Sequence, residues 1–364
     1  MLRPGTEAEL AEVLRGANGP LAVRGGGTRH APGEGEPLTT AGLRGITLYE
    51  PGALTLVARA GTPVAEVEAT LAAEGQRLPF EPMDHRPLLR TTGEPTIGGA
   101  VAMNVSGPRR VQAGACRDSL IGVRFVDGSG QIVKNGGRVM KNVTGYDLAR
   151  LMAGARGTLG VLTEVAFKVL PAAPAQATLR LGGLTVERAV RAMAAALSSP
   201  FDVSGAAHDA GAGATLVRVE GLEGSVAYRA GRLAALLADH GAVERVEGAA
   251  SAELWRAVRD AEAVAGEGDV WRIHARPSRA VDVVARAGAE AALLDWGGGL
   301  IWLRLPEGTD LRTRLGRAWT RQRSPSPATA SASRTARHRS AEAAPSTRST
   351  APWGASRSAS RPAR

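Results

Sequence analysis

The sequence predicts an α+β protein of two domains followed by a basic tail. The chain has 364 residues, 44% of them hydrophobic, which is enough for two cores at about 100–200 residues per domain. A Pro/Ala stretch at residues 171–175 separates two regions with different patterns of helices and strands. We therefore expect a first domain over residues 1–171, a smaller α+β domain over residues 175–316 and a tail over residues 318–364.

The tail carries most of the net charge. From Arg321 to Arg364 there are nine arginines and one acid, Glu342, so this segment holds +8 of the formal net charge of +10. Because it contains no Leu, Ile, Val, Met, Phe or Tyr, it cannot bury enough apolar surface to fold and is predicted to be disordered. A basic tail is compatible with binding to nucleic acid or to an acidic membrane. The same composition is typical of GC-rich codons translated out of frame, and we expect non-native sequence from about Ala318.

Composition excludes several classes of protein. The single cysteine, Cys116, cannot form an intrachain disulfide framework or an iron–sulfur site, which needs about four thiolates. No apolar run approaches the ~20 residues of a membrane helix, and the first residues lack a signal-peptide pattern. The charge outside the tail gives no argument for a nucleic-acid partner. We expect a cytoplasmic protein without a transmembrane segment.

Capping signals define the first helices. Residues 6–9 form a capping-box pattern before an apolar face, which predicts a helix ending near Gly16. Thr62 is predicted to cap a second helix, with Pro63 at its first position and Gly75 beyond its end. Strands are predicted where short apolar runs occur, at residues 21–23, 54–60, 123–126, 131–133 and 161–170. The third and fourth of these strands are expected to form a hairpin.

The second region has a different pattern, which indicates a separate α+β unit. Amphipathic periodicity predicts helices at residues 186–197, 225–240, 252–263 and 279–289. Apolar runs predict strands at residues 215–219, 271–275 and 300–305.

The chemistry begins at the first glycine-rich loop, Arg24-Gly25-Gly26-Gly27-Thr28, which directly follows a predicted strand. Three glycines allow positive φ and let backbone N–H groups converge on an anion. A pyrophosphate suits such a loop, and Arg24 adds a favourable charge. A tight structural turn explains the same loop nearly as often. The spacing is neither the dinucleotide fingerprint nor a P-loop.

Three further glycine clusters follow, at residues 95–110, 136–148 and 154–163. Four separated glycine-rich turns within about 140 residues are difficult to explain by packing alone. They favour one elongated ligand held by backbone from several loops, such as a cofactor with a diphosphate in its middle.

Together these motifs resemble the FAD-binding domain of the vanillyl-alcohol-oxidase (PCMH) type. More narrowly, they are similar to the family of E subunits of bacterial glycolate oxidase (glycolate dehydrogenase). Ser106–Arg110 and Gly136–Asp147 are the most specific segments. The resemblance covers about residues 1–310. It implies two α+β subdomains that enclose FAD and a cap domain over the flavin.

The resemblance also implies an activity and partners. An FAD-dependent oxidoreductase subunit of this kind acts on a CH–OH donor, here a small 2-hydroxy acid such as glycolate. Its partners would be a larger homologous FAD-linked subunit and an iron–sulfur subunit that takes the electrons onward. Any membrane contact would then be made through this complex.

The family's FAD contacts transfer to particular positions. The first loop, Arg24 to Thr28, would hold the pyrophosphate, and the ribityl and ribose region would lie at Gly114 and Asp118. The diphosphate and flavin side would be lined by Thr96, Ile97, Gly98, Gly99, Ser106 and Gly107. The adenine or flavin edge would be lined by Gly160 and Val161.

Attachment of the flavin is expected to be non-covalent. Some relatives attach it through a histidine at the position of Thr28, and His30 lies two residues later. Cys116 is expected to be a small buried hydrophobe, with a flavin-linked thioether as the alternative.

No catalytic residue is assigned from the sequence. The histidines of the second domain, His208, His240 and His274, lie more than 30 residues apart without ligand spacing, so we expect no metal site and an incomplete hydroxy-acid site. The cations Lys141, Arg109 and Arg110 are candidates for raising the flavin potential, or else solvated surface charges. Three functions stay open: an FAD-binding subunit of an oxidising complex, a flavin-binding assembly scaffold without turnover, and a solitary FAD-linked dehydrogenase of another 2-hydroxy acid or alcohol.

Overall fold

The structure is a computed structural model that describes residues 1–29, 34–137 and 145–316. These residues all belong to one compact unit. The predicted tail, His30 and Lys141 lie outside the described residues.

Mixed helices and strands alternate along the described chain, as the α+β prediction requires. The strands are β1 (Leu21–Arg24), β2 (Glu36–Thr39), β3 (Ile46–Glu50), β4 (Thr55–Arg59), β5 (Gln76–Arg77), β6 (Leu120–Val126), β7 (Ile132–Gly136), β8 (Val161–Lys168), β9 (Leu170–Pro171), β10 (Ala175–Leu181), β11 (Gly205–Asp209), β12 (Ala214–Gly221), β13 (Val243–Glu247), β14 (Asp269–His274), β15 (Ala291–Asp295) and β16 (Leu300–Leu305). The α-helices are α1 (Glu7–Arg15), α2 (Val64–Ala73), α3 (Arg86–Leu89), α4 (Ile97–Ala102), α5 (Arg110–Ala113), α6 (Cys116–Ser119), α7 (Leu148–Met152), α8 (Val186–Leu197), α9 (Glu223–Leu237), α10 (Gly248–Arg259), α11 (Ala280–Ala287) and α12 (Leu311–Leu315).

The capping prediction is confirmed for α1 and wrong for α2. The Thr6 hydroxyl accepts a hydrogen bond from the Glu9 backbone N–H at 3.1 Å, and Gly16 is the C-cap. At α2 the N-cap is Pro63, without a side-chain capping bond. The Thr62 hydroxyl accepts from the Gly45 backbone N–H instead, at 2.9 Å. Thr62 therefore holds a loop and does not cap the helix.

A five-stranded antiparallel sheet forms the centre of the N-terminal half, in the order β3-β4-β8-β6-β7. The predicted hairpin is confirmed as β6 and β7. One core cluster packs against this sheet and includes Leu56 of β4, Leu71 of α2 and Phe167 of β8. Beside it, β1 and β2 pair in parallel. The first glycine-rich loop begins where β1 ends.

A seven-stranded sheet forms the C-terminal half, in the order β13-β10-β12-β11-β15-β16-β14. We call residues 175–316 the cap region. Successive side chains on a strand point to opposite faces. One face of this sheet, with Ile273 and Leu303 among its residues, packs with the helices of the cap region, including α8, α9 and α11. The opposite face, with Leu293 and Trp302, packs against the N-terminal half near Val105.

A buried ion network links the N-terminal half of the chain to the cap region. Arg218 of β12 donates two hydrogen bonds to the carboxylate of Glu81, at 2.9 and 3.0 Å. Glu220 of the same strand lies 2.6 Å from Arg77 and 3.0 Å from Arg109. Arg218, Arg109 and Glu220 are each at most 6% exposed. Removal of any one partner would leave a buried uncompensated charge, which is costly. The domain boundary near residues 171–175 stays a prediction.

Candidate functional site

A cavity of about 430 Å³ lies in the N-terminal half, beside the end of β1. Its walls are made largely of loop backbone and small or apolar side chains. Residues lining it include Arg24–Arg29, Thr96, Gly98–Ala100, Met103, Met152, Arg156, Gly157 and Gly160–Leu162. The first, second and fourth predicted glycine clusters thus meet at one cavity. The third cluster lies partly outside the described residues.

The first loop follows β1 and turns sharply along the cavity. Gly27 has φ of 78°, in the left-handed region that favours glycine, and nothing lies within 4 Å of the position of a Cβ atom there. A bare backbone therefore borders the open space. At Gly26 the reason for glycine is different, because a Cβ atom would overlap the carbonyl oxygen of Glu94. Of the three glycines in the loop, only Gly27 has a positive φ.

The segment from Thr96 to Gly99 approaches the first loop closely. Thr96 caps α4 by accepting a hydrogen bond from the Gly99 backbone N–H at 3.2 Å. A Cβ atom at Gly25 would overlap the Thr96 hydroxyl, and one at Gly98 would collide with Ala60. These glycines permit tight packing of the loops around the cavity. Ile97, by contrast, is fully buried in the core beneath it.

Besides Ile97, four predicted FAD contacts are not among the residues that line this cavity. The Ser106 hydroxyl accepts from the Cys116 backbone N–H at 3.0 Å, and the Gly107 carbonyl accepts from a tryptophan of the cap region. Gly114 has φ of 83°, and the Asp118 carboxylate accepts from the Ala115 backbone N–H at 2.8 Å. Of these four residues, Gly107 thus contacts the cap region directly. Gly160 and Val161 do line the cavity.

The flavin-tuning candidates lie in different surroundings. Arg109 binds Glu220 in the buried ion network and does not line the cavity. Arg110 stacks on Trp296 of the cap region, with its guanidinium carbon 4.6 Å from the ring centroid. Lys141 lies outside the described residues.

His208 and His274 of the cap region lie on different strands. His208 is buried on β11, where its Nδ1 atom lies 3.0 Å from the Thr215 hydroxyl oxygen. His274, at the end of β14, accepts a hydrogen bond from Arg272 at 2.6 Å. Burial, together with the charges of Arg272 and Arg110, lowers the pKa of His274 to about 4. Within the described ranges no group of three or more His, Cys, Asp or Glu residues can hold a metal ion.

Several residues at the site were missed by sequence reasoning. Arg29 and His85 line the cavity, and so does Arg156. Arg29 directly follows the predicted loop and Arg156 lies within the fourth glycine cluster, so adjacency was an available signal for both. His85 follows no glycine cluster, and no local pattern identifies it.

The site fits an elongated anionic cofactor. The cavity wall contains Arg24, Arg29 and Arg156, but no Asp or Glu among the residues described. Exposed backbone at Gly27 suits a diphosphate, whose oxygens need several donors. Apolar surface from Met103 and Met152 suits a flat ring system. FAD has both chemical features.

Comparison with known proteins agrees with this chemistry. Residues 1–136 match the family described as "FAD binding domain". The N-terminal part of the chain is thus similar to FAD-binding domains, and the cofactor that this similarity indicates is FAD. It is 40% identical over 210 residues to glycolate oxidase subunit GlcE of Escherichia coli (strain K12), a match that covers 57% of each chain.

Two further proteins are similar to this chain, one in sequence and one in structure. A D-lactate dehydrogenase of Archaeoglobus fulgidus is 32% identical over 179 residues, which are 47% of this chain and 38% of that protein. The chain therefore spans about half, or less, of the length of these curated relatives. An alkyldihydroxyacetonephosphate synthase structure superimposes with a TM-score of 0.65 at 14% identity, covering 86% of this chain and 69% of that one. This last likeness shows the fold alone.

Proposed function

We propose that this chain is the FAD-binding subunit of a multi-subunit dehydrogenase that oxidises a small 2-hydroxy acid such as glycolate. The observation that carries the proposal is the cavity, where three glycine-rich segments present backbone beside an acid-free, arginine-bearing wall. The similarity to a glycolate oxidase subunit and to a D-lactate dehydrogenase supports the substrate class.

The first loop is proposed to hold the diphosphate of FAD. Gly27 offers a backbone N–H at an unobstructed position, and Arg24 and Thr28 flank it on the cavity wall. Thr96, Gly98 and Gly99 would meet the same part of the cofactor from the opposite side. Gly160 and Val161 would contact one edge of it.

The five predicted contacts that do not line the cavity are proposed to act on the cofactor indirectly. Ser106, Gly107 and Asp118 hold the segment between α4 and β6 through the hydrogen bonds described above, and Gly114 adopts a positive φ within it. Ile97 anchors α4 in the core. Their substitution would thus lower FAD occupancy by moving the loops that line the cavity.

Bound FAD would supply the two-electron chemistry, accepting a hydride equivalent from the carbon that bears the hydroxyl group while that hydroxyl group loses its proton. The chain's own residues bind and orient the cofactor and exclude water from it. Electrons would then pass to a larger homologous FAD-linked subunit and an iron–sulfur subunit. No helix of the described chain is long and apolar enough to cross a membrane; a cytoplasmic location is part of the proposal.

Non-covalent attachment is supported by the position of the one cysteine. Cys116 is fully buried in the core cluster that packs against the five-stranded sheet, and it does not line the cavity. Burial raises the pKa of its thiol, which keeps the thiol protonated and unreactive.

Flavin reduction tests the proposal. The purified FAD-loaded chain, alone and after co-purification with its partners, is mixed anaerobically with glycolate or D-lactate, and the oxidised-flavin absorbance is followed. We expect bleaching in the complex. Bleaching by the chain alone would favour a solitary dehydrogenase. Absence of bleaching in both, with FAD bound, would leave the scaffold function and refute the proposal.

A further inference from the structure

The residues that line the cavity belong to different core clusters. Val161 packs with residues of α1 and β2, whereas Met83 and Val105 pack in a cluster that includes Trp302 of the cap region. Met103 packs against that second cluster as well. We call the part of the cavity formed by Met83, Met103 and Val105 the cap-side wall. An elongated cofactor in this cavity would therefore have one part against the N-terminal elements and another against the cap-side wall.

The cap-side wall suits the flat ring system of the proposed cofactor. Its side chains are apolar, and thioether and branched aliphatic groups pack well against an aromatic surface. The loop proposed to hold the diphosphate, with its bare backbone at Gly27, follows directly after β1 and does not belong to this wall. We therefore expect the flavin ring to lie against the cap-side wall.

His85 is anchored beside the cap-side wall. It follows Met83 by two residues, lines the cavity and is 5% exposed. Its backbone carbonyl accepts a hydrogen bond from the Leu89 backbone N–H at 2.8 Å, at the start of α3. Leu89 packs in the same core cluster as Met83. The packing between the N-terminal half and the cap region thus holds His85 in place.

The tautomer of His85 follows from a hydrogen bond of its ring. The Nδ1 atom lies 3.2 Å from the backbone carbonyl oxygen of Met83. Because a carbonyl oxygen only accepts, Nδ1 carries the hydrogen in this contact. A neutral imidazole of this tautomer has its lone pair on Nε2. Nε2 is therefore the atom that can take up a proton.

Among the described residues of the cavity wall, His85 is the one side chain that can gain a proton near neutral pH. These residues include no Asp, Glu, Lys, Cys or Tyr. The other polar side chains are threonine hydroxyl groups, which do not ionise in this range, and guanidinium groups, which are already protonated. A reaction in the cavity that releases a proton thus has His85 as its acceptor among these residues.

The acids near His85 are already paired with cations. Four of them lie on the segment of His85 or on elements beside it, and each has an arginine partner: Glu81 with Arg218 at 2.9 Å, Asp84 with Arg86 at 2.7 Å, Asp260 with Arg259 at 2.8 Å, and Glu262 with Arg256 at 2.7 Å. Because their charges are offset locally, these carboxylates contribute little to stabilising a positive charge on the imidazole ring.

The charged groups on the cavity side are positive. Arg24, Arg29 and Arg156 line the same cavity as His85. A cation among cations is disfavoured, so the surroundings favour a neutral imidazole that can still accept a proton. A negative charge that develops in the cavity reverses this preference and favours the imidazolium form.

We propose that His85 is the proton acceptor of the cavity: it is neutral while the bound flavin is oxidised and becomes protonated when the flavin is reduced. That the proton comes from the hydroxyl group of a 2-hydroxy acid rests on the proposed function; the protonation itself does not. In that reaction the O–H bond breaks and its proton goes to Nε2. The C–H hydrogen on the same carbon leaves with two electrons as a hydride to the flavin, and the C–O bond becomes a carbonyl. The imidazolium offsets the negative charge of the reduced flavin and afterwards loses its proton to water.

Reduction without substrate tests the acceptor at equilibrium. The midpoint potential of the flavin is measured by spectroelectrochemical titration of the FAD-loaded wild type and of His85→Asn between about pH 6 and pH 9. The slope of the potential against pH gives the number of protons taken up with two electrons. Near neutral pH we expect the wild type to take up about one proton more than the variant, the proton bound by His85. Equal slopes would overturn the proposal.

Asparagine separates the structural role of His85 from its role as an acceptor. The amide nitrogen of Asn takes the position of Nδ1 and can donate to the Met83 carbonyl, but no atom of Asn replaces Nε2. FAD content and thermal stability should therefore stay close to those of the wild type. If His85→Asn loses FAD, His85→Gln, which keeps a nitrogen at the position of Nε2 but cannot be protonated, provides the same comparison. His240→Asn is the matched control, because His240 is a half-buried residue of the cap region that does not line the cavity; it should keep the wild-type slope.

Reduction by glycolate distinguishes failure of this proposal from failure of the proposed function. In the wild type the rate of flavin reduction should fall below about pH 6.5, where an imidazole is protonated before reaction. His85→Asn should be at least about 100-fold slower and should lose this pH dependence. A wild-type rate and pH profile in His85→Asn would refute the acceptor and leave the oxidation. A flavin that glycolate leaves oxidised, in a wild type that takes up the additional proton on electrochemical reduction, would refute the oxidation and leave the acceptor.

Discussion

The substitution Glu220→Gln tests whether the buried ion network determines how the cap region packs. Glu220 is 6% exposed and contacts Arg77 and Arg109 directly. Burial by itself would raise its pKa, but the charges of Arg218, Arg109 and Arg77 lower that pKa to about 2 from an ordinary 4.5. At about 1.4 kcal/mol for each pKa unit, the ionised carboxylate stabilises the fold by about 3 kcal/mol.

The pH dependence follows from the direction of this shift. Because the pKa of Glu220 is lower in the folded state, its contribution is fully present above about pH 4.5 and is lost as the pH falls toward 2. Glutamine resembles the protonated carboxyl group. The deficit of the Glu220→Gln variant should thus be constant between pH 7 and pH 5 and shrink below pH 4.5.

Urea unfolding and thermal melting measure the effect. We expect the variant to lose about 3 kcal/mol of unfolding free energy at pH 7, which corresponds to a melting temperature lower by roughly 5–10 °C. Glu244→Gln is the control, because Glu244 is largely exposed and lies 3.5 Å from Arg180 on the surface; it should change stability by less than about 1 kcal/mol. If the two variants are equally stable at pH 7, the network does not carry the energy assigned to it.

Three further outcomes are expected. Gly26→Val should abolish FAD binding, because its side chain would displace the Glu94 backbone beside the cavity, whereas Gly52→Val, at an unobstructed position, should keep full flavin absorbance. Acid precipitation should release the flavin into the supernatant, whereas yellow colour in the pellet would make Cys116 or His30 the candidate for covalent attachment. Asp295→Asn should stabilise the protein by a few kcal/mol at pH 8 and by less at pH 5. The pKa of this buried carboxyl is raised to about 7, so its protonation favours folding at low pH, and this contribution is lost as the pH rises through 7. A melting-temperature difference between the variant and the wild type that does not depend on pH would contradict this.

Local sequence signals determined the elements that depend on local chemistry. The helix at residues 186–197 and the strand at residues 300–305 match α8 and β16 at both ends, because amphipathic periodicity and an apolar run are properties of neighbouring residues. The glycine loops were likewise identifiable, since positive φ and close backbone approach leave few alternatives to glycine.

Other strands form only because they pair with strands that are distant in the sequence. Strands β10 and β15, rich in alanine, were not predicted, because alanine has a weak preference for strands. Each becomes a strand by pairing on both sides within the cap sheet. The α2 cap was misassigned for a related reason: the Thr62 hydroxyl is taken by Gly45, a contact that no local pattern specifies.

The sequence by itself determined an FAD-type cavity built from glycine loops, and only the tertiary structure decided which charges surround it. Arg29 and Arg272 are separated by more than 200 residues, and packing of the cap sheet against the N-terminal half brings their charges within reach of each other. The same packing directs Arg109 to Glu220 and Arg110 to Trp296, although the two arginines are adjacent in sequence. A guanidinium group acquires its role from the charges and rings around it, and those are set by long-range packing.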